Sequence, residues 1–426
     1  MASERADPEL TVQRRTLAAH RCAQSNLLGA RSNPQTPQVV RPIRHFRPPS
    51  ASERLHNLDA GTGVPALLDA ARDPSLPVAR RAVMWLVRDG GSAARDGLRE
   101  LVWTCDPALA GDVSGALRAL GDRDTLGAAV ARLRAGPTAE RCRAARVLGQ
   151  FADRVTIPAL CGALTDRDES VRGAALDALA RAGRDDVGAH AAAELVTDAS
   201  DQVRCRAVRA IGRLSAHPAR AVHPATSDSS PVVRREAGRL AARLTVEDVG
   251  QLLADPDNEV RWTTAANAGR GAEGLLIVAL QSDAHAAVRL GAAQTLGLLG
   301  GEQSIDALLA AALEDPDAMV RARALRMTSH QLSDEEVATR FRDELKRESG
   351  RRRQMALRTL AKLSVALTHT EAAVVAHDPD PDVRLALAQL AAQLVDPPHY
   401  ALEILGRDGD PTVRHAAALH QQAYGR

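Results

Sequence analysis

Arginine residues at one position of a repeated motif are the residues in this sequence best placed to do chemistry. The motif is clearest at 255–261 (DPDNEVR), 315–321 (DPDAMVR) and 378–384 (DPDPDVR). Degraded copies stand at 166–172, 198–204, 228–234 and 408–414. A guanidinium group binds carboxylates and phosphates. The repeated arginine is therefore open to two interpretations, a stripe that binds a partner or a set of ion pairs within the chain.

We interpret the arginine that ends the motif as structural. It occurs in ten copies: Arg141, Arg172, Arg204, Arg234, Arg261, Arg289, Arg321, Arg353, Arg384 and Arg414. In five of them an aspartate stands four residues earlier, as in Asp168/Arg172 and Asp257/Arg261. Residues at this spacing meet on one helix face, and in a stack of repeats they can bridge adjacent turns as a ladder. We therefore expect these arginines to hold the repeats together.

The elements that position these arginines follow from the repeat. We define the anchor of each repeat as the position held by valine just before the motif arginine. Twelve anchors are recognised: Val78, Asp112, Glu140, Val171, Val203, Val233, Val260, Val288, Val320, Arg352, Val383 and Val413. A helix N-cap residue such as Asp257 stands three residues before the anchor, and a small residue such as Ala207 stands four after it. A second apolar run precedes each motif, so every repeat predicts two short helices joined by an acidic turn.

The pattern L…D-x-D-x-x-V-R-x-x-A…L-G resembles HEAT repeats, especially the short bacterial repeats grouped with phycobiliprotein lyases. The resemblance covers about residues 60–425. It implies an all-α fold, an α-solenoid superhelix of about twelve HEAT-like helical hairpins over residues 51–426. It also implies that the second helix of each hairpin lines the concave side. The repeated residues are structural, so the resemblance says little about activity.

A second set of cationic residues lies three, six or ten residues after an anchor, and these spacings trace one face of the second helix. The members that we predict to bind a partner are Arg206, Arg209, Arg213, Arg239, Arg243, Arg323, Arg326, Arg358 and Lys362. This face carries none of the repeated apolar positions, so we expect it to be exposed, and the resemblance places it on the concave side. Asp177 and Glu236 interrupt it. The alternative is an ordinary solvated face that is rich in arginine.

Residues 1–50 differ from the rest of the chain. They hold eight arginines against three acidic residues, a balance of 8 − 3 = +5, and proline is frequent from Pro34 to Pro49. This composition predicts a disordered basic tail. Because the whole chain carries +2, the remainder carries 2 − 5 = −3.

The composition of the chain excludes several classes of protein. Of its 426 residues 45% are hydrophobic and only 2% aromatic, so the core is built from Ala, Leu and Val. The five cysteines include no closely spaced pair, which disfavours a zinc knuckle or a disulfide framework. We expect a reducing bacterial cytoplasm as the location. No apolar run is long enough to span a membrane, so no membrane partner is expected.

Enzymatic functions known on HEAT-like folds find little support. HEAT-fold hydroxylases bind iron through His-Glu dipeptides, and this sequence has none. HEAT-like DNA glycosylases line a basic cleft with aromatic residues, whereas Trp85, Trp103 and Trp262 are far apart here. Bilin lyases need a pocket for a large conjugated ligand, and no polar or aromatic cluster for one is evident. The thirteen histidines show no metal-ligand spacing with carboxylate support. We therefore expect no catalytic, metal-binding or cofactor-binding residues.

One repeat is expected to be degenerate. Between Ile211 and Val233 the segment SAHPARAVHPATSDSSP carries three prolines and few apolar residues, so a full two-turn first helix is not expected there. The segment could act as a hinge or docking notch. The favoured interpretation is a degenerate repeat whose neighbours cover the core.

The function predicted from these features is that of a non-catalytic scaffold or adaptor. Its partner is expected to be a protein with an acidic segment, bound along the concave arginines. The alternative is a nucleic-acid-binding protein, related to HEAT-like DNA glycosylases, that uses the same groove and the basic tail. An orphaned lyase-type enzyme is a third hypothesis.

Overall fold

The computed structural model of the chain describes residues 49–59, 61–151, 156–346, 350–363, 365–391 and 398–424. The basic tail predicted for residues 1–50 therefore lies almost wholly outside the described residues. The described residues form α-helices and short 3₁₀ helices and include no β-strand. No helix among them combines the length and the apolarity that crossing a membrane requires.

The α-helices of the described residues follow one another in short segments. In chain order they are α1 (Ala51–His56), α2 (Val64–Ala70), α3 (Leu76–Asp89), α4 (Ser92–Thr104), α5 (Pro107–Ala119), α6 (Asp124–Ala135), α7 (Thr138–Phe151), α8 (Ile157–Ala163), α9 (Glu169–Leu179), α10 (Asp186–Ala193), α11 (Asp201–Leu214), α12 (Ala219–Val222), α13 (Pro231–Gly238), α14 (Val246–Leu253), α15 (Asn258–Asn267), α16 (Glu273–Ser282), α17 (Ala286–Leu299), α18 (Glu302–Glu314), α19 (Ala318–Ser329), α20 (Asp334–Glu344), α21 (Gly350–Lys362), α22 (His369–Ala376), α23 (Pro381–Ala391), α24 (His399–Leu405) and α25 (Pro411–Tyr424).

Helices α2 to α25 form twelve successive hairpins within the described residues. In each hairpin the even-numbered helix comes first and the odd-numbered helix second, and every predicted anchor falls on a second helix. The predicted all-α repeat architecture of about twelve helical hairpins is confirmed.

The repeated small residue explains how closely the second helices stack. The anchor valines are buried, for example Val171 and Val260 at 0% exposure, and so are the alanines four residues later, such as Ala175 and Ala207. A larger side chain at these positions would force the helices apart, because protein interiors are close-packed. The backbones come close at Gly149 of α7, where a Cβ atom would lie 2.7 Å from the Cα of Ala178 in α9. The aromatic-poor core thus follows directly from the helix spacing.

The predicted N-caps start the second helices, although not all of them by side-chain capping. The Asp168 carboxylate accepts a hydrogen bond from the Ser170 N–H at 2.9 Å, and Asp257 accepts from Glu259 N–H and Val260 N–H. Ser200 and Ser230 occupy the same position with extended backbone but make no side-chain cap. In all four of these repeats the aspartate two residues before the cap position binds the N–H of the cap residue, as Asp198 does for Ser200 at 2.9 Å.

Eight of the ten motif arginines bind an aspartate of the next repeat, not the residue four positions before them. Seven of these arginines grip the aspartate that stands five residues before the following anchor, with Nε on one oxygen and Nη2 on the other. The pairs are Arg141–Asp166, Arg172–Asp198, Arg204–Asp228, Arg234–Asp255, Arg261–Asp283, Arg289–Asp315 and Arg384–Asp408. Arg353 reaches Asp378 through a single contact of 2.5 Å. The predicted ladder is present, but the predicted i, i+4 pairing is wrong, because the stacking brings the next turn closer.

We call this set of arginines and aspartates the arginine ladder. Each rung also ties the arginine to its own turn: Arg204 Nη1 donates to the Asp198 carbonyl at 2.8 Å, while its Nε lies 2.6 Å from Asp228 Oδ2. The Arg204 and Asp228 side chains are only 13% and 8% exposed. Burial by itself would raise the pKa of Asp228, but the hydrogen bonds from Arg204 and the Ser230 N–H hold it below the ordinary value. The pair is therefore ionised and largely shielded from water.

The ladder has a start and an interruption. Arg54 of α1 grips Asp73, five residues before the first anchor, at 2.6 and 3.0 Å, so α1 acts as an incomplete second helix. Arg321 donates to its own turn but meets no carboxylate among the described residues. The stack of second helices is also interrupted there: α19 lacks the close packing against α21 that neighbouring second helices show elsewhere in the described residues.

The degenerate repeat behaves as the favoured interpretation predicted. Its first helix, α12, spans only Ala219–Val222 and is followed by a 3₁₀ helix, His223–Ser227. Val222 and Ala225 are nevertheless fully buried, and α11, α13 and α15 stack without interruption. His223, whose side chain is 65% exposed, binds the buried Asp248 of the next repeat, with 2.6 Å between Nδ1 and Oδ1.

Removing a rung of the ladder should destabilise the array. Arg204→Leu leaves Asp228 buried and unpaired, and we expect the free energy of unfolding to fall by about 3 kcal/mol. Urea denaturation followed by circular dichroism measures this change. Arg414→Leu is the matched control, since Arg414 binds only the carbonyls of its own turn, and its effect should stay within about 0.5 kcal/mol. The double variant Arg204→Leu/Asp228→Asn should recover part of the loss, and an equal loss in Arg204→Leu and Arg414→Leu would contradict the role of the ladder.

The His223–Asp248 bond should make stability depend on pH. The hydrogen bond to Asp248 and the negative charge of Asp248 raise the pKa of His223. The bond's contribution to the free energy of unfolding is therefore complete below the ordinary histidine pKa of about 6.5. It is lost as pH rises through the raised pKa of His223. The difference in melting temperature between the native protein and His223→Gln should be largest near pH 6 and shrink towards pH 9. A difference independent of pH would refute this assignment, and His217→Gln serves as the exposed control in the same repeat.

Candidate functional site

The arginine face is the set of nine cationic residues that the sequence predicts to bind a partner. Arg206, Arg209 and Arg213 lie on α11, Arg323 and Arg326 on α19, and Arg358 and Lys362 on α21. Arg239 and Arg243 do not continue a second helix, because α13 ends at Gly238 and Arg243 belongs to a 3₁₀ helix, Ala241–Arg243. The face is therefore carried by three second helices and one irregular segment.

The centre of the face is partly neutralised by a buried carboxylate. Glu236 of α13 is 6% exposed, and its two oxygens accept from Arg209 Nε at 3.0 Å and Arg209 Nη2 at 3.1 Å. Arg239 also donates to Glu236. The hydrogen bond to Glu236 raises the pKa of Arg209 and outweighs the opposite effect of burial. The sequence marked Glu236 only as an interruption, whereas the structure makes it the partner of two candidate residues.

Three further members of the face have partners within the chain. Arg206 lies 3.8 Å from Asp177 on the preceding second helix. Arg323 donates to the Gln294 side-chain oxygen at 2.6 Å. Arg243 donates to Gly212, Ser215 and Ala216 carbonyls and so closes the end of α11. Together with Arg209 and Arg239, five of the nine candidates make contacts that stabilise the stack.

The other four members are exposed cations. Arg213, Arg326, Arg358 and Lys362 are exposed, and no hydrogen bond or ion pair to another described residue satisfies their charged groups. Arg358 and Lys362 line the same cavity of about 340 Å³, between α19, α21 and α23. The structure thus brings these two together, whereas Arg213 and Arg326 do not line this cavity.

One residue of this cavity, Arg321, was assigned from the sequence to the structural ladder and not to the arginine face. Arg321, placed in the structural ladder by its position after Val320, also lines the cavity with Arg358 and Lys362. A signal was available: the ladder needs an aspartate five residues before the next anchor, and position 347 is arginine in the sequence. The i, i+4 spacing of Asp317 and Arg321 favoured the structural interpretation, so the missing aspartate was not recognised.

The ladder aspartates are not available to oppose this charge. The ladder aspartates are between 2% and 13% exposed and bind arginine in the neighbouring repeat. The exposed positive charge of the arginine face is therefore not offset by these carboxylates. The arrangement can hold an anion by ion pairing and hydrogen bonding.

Groups suited to other chemistry are engaged in packing. Burial raises the pKa of the Cys105, Cys142, Cys161 and Cys205 thiols, which disfavours the reactive thiolate. Trp103 lies under the Arg132 guanidinium, 4.1 Å from it, and Trp85 lies under Arg88. Among the described residues no group of three or more His, Cys, Asp or Glu side chains is arranged to hold a metal ion.

Comparison with known proteins identifies the repeat. The family model described as HEAT repeats matches residues 128–193, 246–329 and 272–361, which confirms the resemblance seen in the sequence. No curated protein matches the chain.

Several solved structures are similar to this chain. A leucine-rich repeat variant with a novel repetitive structural motif is 23% identical, covers 60% of this chain and 88% of its own, and gives a TM-score of 0.31. The condensin Cnd3–Cnd2 subcomplex of S. pombe is 14% identical over 84% of this chain and 64% of that one, with a TM-score of 0.42. The complex of CpcE and CpcF of phycocyanin lyase from Nostoc sp. PCC7120 is 18% identical over 64% and 95%, with a TM-score of 0.28. These likenesses concern the fold alone.

Neutralising Glu236 should weaken the stack. Glu236→Gln removes the charge shared by Arg209 and Arg239, and we expect the free energy of unfolding to fall by about 1–2 kcal/mol. Asp177→Asn is the matched control, because the exposed Arg206–Asp177 pair should contribute less than about 0.5 kcal/mol. Urea denaturation distinguishes the two variants, and equal effects would show that Glu236 is not a structural centre of the face.

Proposed function

We propose that this chain, a member of the HEAT-repeat family, is a non-catalytic adaptor that binds an acidic segment of another protein along the arginine face. An array of stacked hairpins offers a long surface on which an extended segment can make many contacts. The one observation that carries the proposal is that the positive charges of the face are exposed while the negative charges of the ladder are bound within the chain. The ladder aspartates are bound to arginine of the neighbouring repeat, while four cations of the face stay exposed and unpaired among the described residues.

The spacing of the exposed cations favours an extended partner over a compact ligand. Arg213 lies on the fifth hairpin, Arg326 on the ninth, and Arg358 and Lys362 on the tenth. A small anion would contact only one of these places, whereas an extended acidic segment could follow the stack between them. Complementary charge of this kind speeds association and selects the partner more than it adds affinity.

A protein partner is preferred to nucleic acid for a specific reason. Proteins that bind single strands stack bases on exposed aromatic side chains. Here Trp85 and Trp103 lie under arginine side chains. Trp262 is 41% exposed, but it lies on α15, which carries none of the nine residues of the arginine face. The described part of the arginine face offers cations without an adjacent stacking platform.

Charge reversal on the face should abolish partner capture. The variant Arg213→Glu/Arg326→Glu places repulsive charge at two separated points, and we expect at least about tenfold less captured partner, because like charges at an interface cost several kcal/mol. The measurement is affinity capture from a nuclease-treated lysate of the source organism, quantified by mass spectrometry.

The control for this experiment carries the same change in charge elsewhere. Arg134→Glu/Arg220→Glu alters two exposed arginines on the first helices α6 and α12. It should capture the same protein as the native chain. Equal capture by both variants would refute the proposal, and proteins that disappear on nuclease treatment, with co-purified DNA or RNA, would replace it by nucleic-acid binding.

A further inference from the structure

The interruption of the arginine ladder leaves one arginine half satisfied. Arg321 Nη1 donates to the Asp315 carbonyl at 2.7 Å and the Pro316 carbonyl at 3.0 Å, as in the intact rungs. In those rungs Nε and Nη2 hold a carboxylate, as Arg289 holds Asp315 at 2.8 and 3.0 Å. In Arg321 these two groups have no partner among the described residues.

The same interruption opens the cavity beside Arg321. Neighbouring second helices elsewhere in the described residues pack closely, but α21 packs against α18 and α23 and not closely against α19. The space between them is a cavity of about 340 Å³. This volume is at the lower end of the range for ligand pockets and accommodates one or two side chains.

The walls of the cavity select the charge of its occupant. Arg321 lies on one side and Arg358 and Lys362 on the other, and no carboxylate lines the cavity. Leu325 and Met355 supply apolar surface, and Gln389 supplies an amide. An occupant must therefore bring negative charge on a short apolar stem.

We infer that this cavity receives an aspartate or glutamate side chain of the partner, which completes the arginine ladder from outside the chain. The incoming carboxylate takes the position on Arg321 Nε and Nη2 that the next turn's aspartate holds in the seven bidentate rungs. Arg358 and Lys362 neutralise the neighbouring acids of the partner segment. This inference rests on the proposed function and gives the acidic segment its point of attachment.

The rest of the ladder argues for a carboxylate over a phosphate. The Nε and Nη2 groups of the intact rungs meet two oxygens of one planar group, at 2.6 to 3.1 Å. Arg321 is held towards the same geometry by its Nη1 contacts, so the side chain is pre-organised before the ligand arrives.

The direct test measures binding of a fluorescein-labelled (Asp-Ala)5 peptide to the full chain by fluorescence anisotropy. Arg321→Gln should weaken binding at least tenfold. The matched control is Arg414→Gln, because Arg414 makes the same two contacts to its own turn and does not line this cavity. Its Kd should stay within twofold of the native value. Absence of peptide binding to the native chain, or equal losses in the two variants, would overturn the inference.

A second pair of variants keeps Arg321 in place. Ala318 lines the cavity three residues before Arg321, at the first position of α19, where a negative charge is well tolerated. Ala318→Asp supplies a carboxylate from within the chain and should weaken peptide binding about tenfold, while Ala318→Asn should bind normally. Normal binding by both would overturn the inference, as would Arg321-dependent binding of single-stranded DNA that is tighter than that of the peptide.

These outcomes separate the inference from the proposed function. If Arg213→Glu/Arg326→Glu loses the captured partner while Ala318→Asp retains it, the extended face is correct and the cavity is not its attachment point. If Ala318→Asp loses both peptide and partner while the face variant retains the partner, the cavity is correct and the extended face is wrong.

Discussion

The contact on which the structure depends is the paired arginine and aspartate that joins each turn to the next. One guanidinium group binds a carbonyl of its own turn and the carboxylate of the following turn, while that carboxylate binds a backbone N–H near the start of its own helix. Three requirements of a stacked repeat are met by two side chains: the turn is closed, the helix start is satisfied, and the register between repeats is fixed. A buried charge without its partner would cost more than the pair contributes, so where the pair is buried both residues occur together.

This pairing also determines the charge of the surface. The residues after position 50 carry a net charge of −3, which by itself would favour a cationic partner. The ladder aspartates, however, are shielded and bound to arginine, so they contribute little to the field outside the protein. On the second helices, the exposed members of the arginine face are cations that the ladder does not use. Net charge and the sign of the binding surface are therefore independent here.

The sequence predicted those features that depend on residues within one repeat. Anchors such as Val260, the small residues four positions later and the caps at Asp168 and Asp257 act locally, and they were identified correctly. Features that depend on two repeats were missed or assigned wrongly: Arg172 binds Asp198 instead of Asp168, and Glu236 holds Arg209 and Arg239. Gly238 at the end of α13 also packs against α15, where a Cβ would lie 2.6 Å from Thr264 Oγ1. Spacing along the chain gives the face of a helix, but stacking decides which group on the next helix comes nearest.

A repeat array can gain a binding site by omitting a contact as well as by adding residues. In an intact rung such as Arg204–Asp228 both side chains are more than 80% buried, so removing one leaves a charge that is shielded from water. At Arg321, whose Nε and Nη2 have no partner among the described residues, the omission coincides with a gap in the stack, and Arg321 lines the cavity there. Its Nη1 remains fixed to two carbonyls, which limits the conformational entropy that binding must overcome. The same geometry that stabilises one repeat against the next is then available to a group from another molecule.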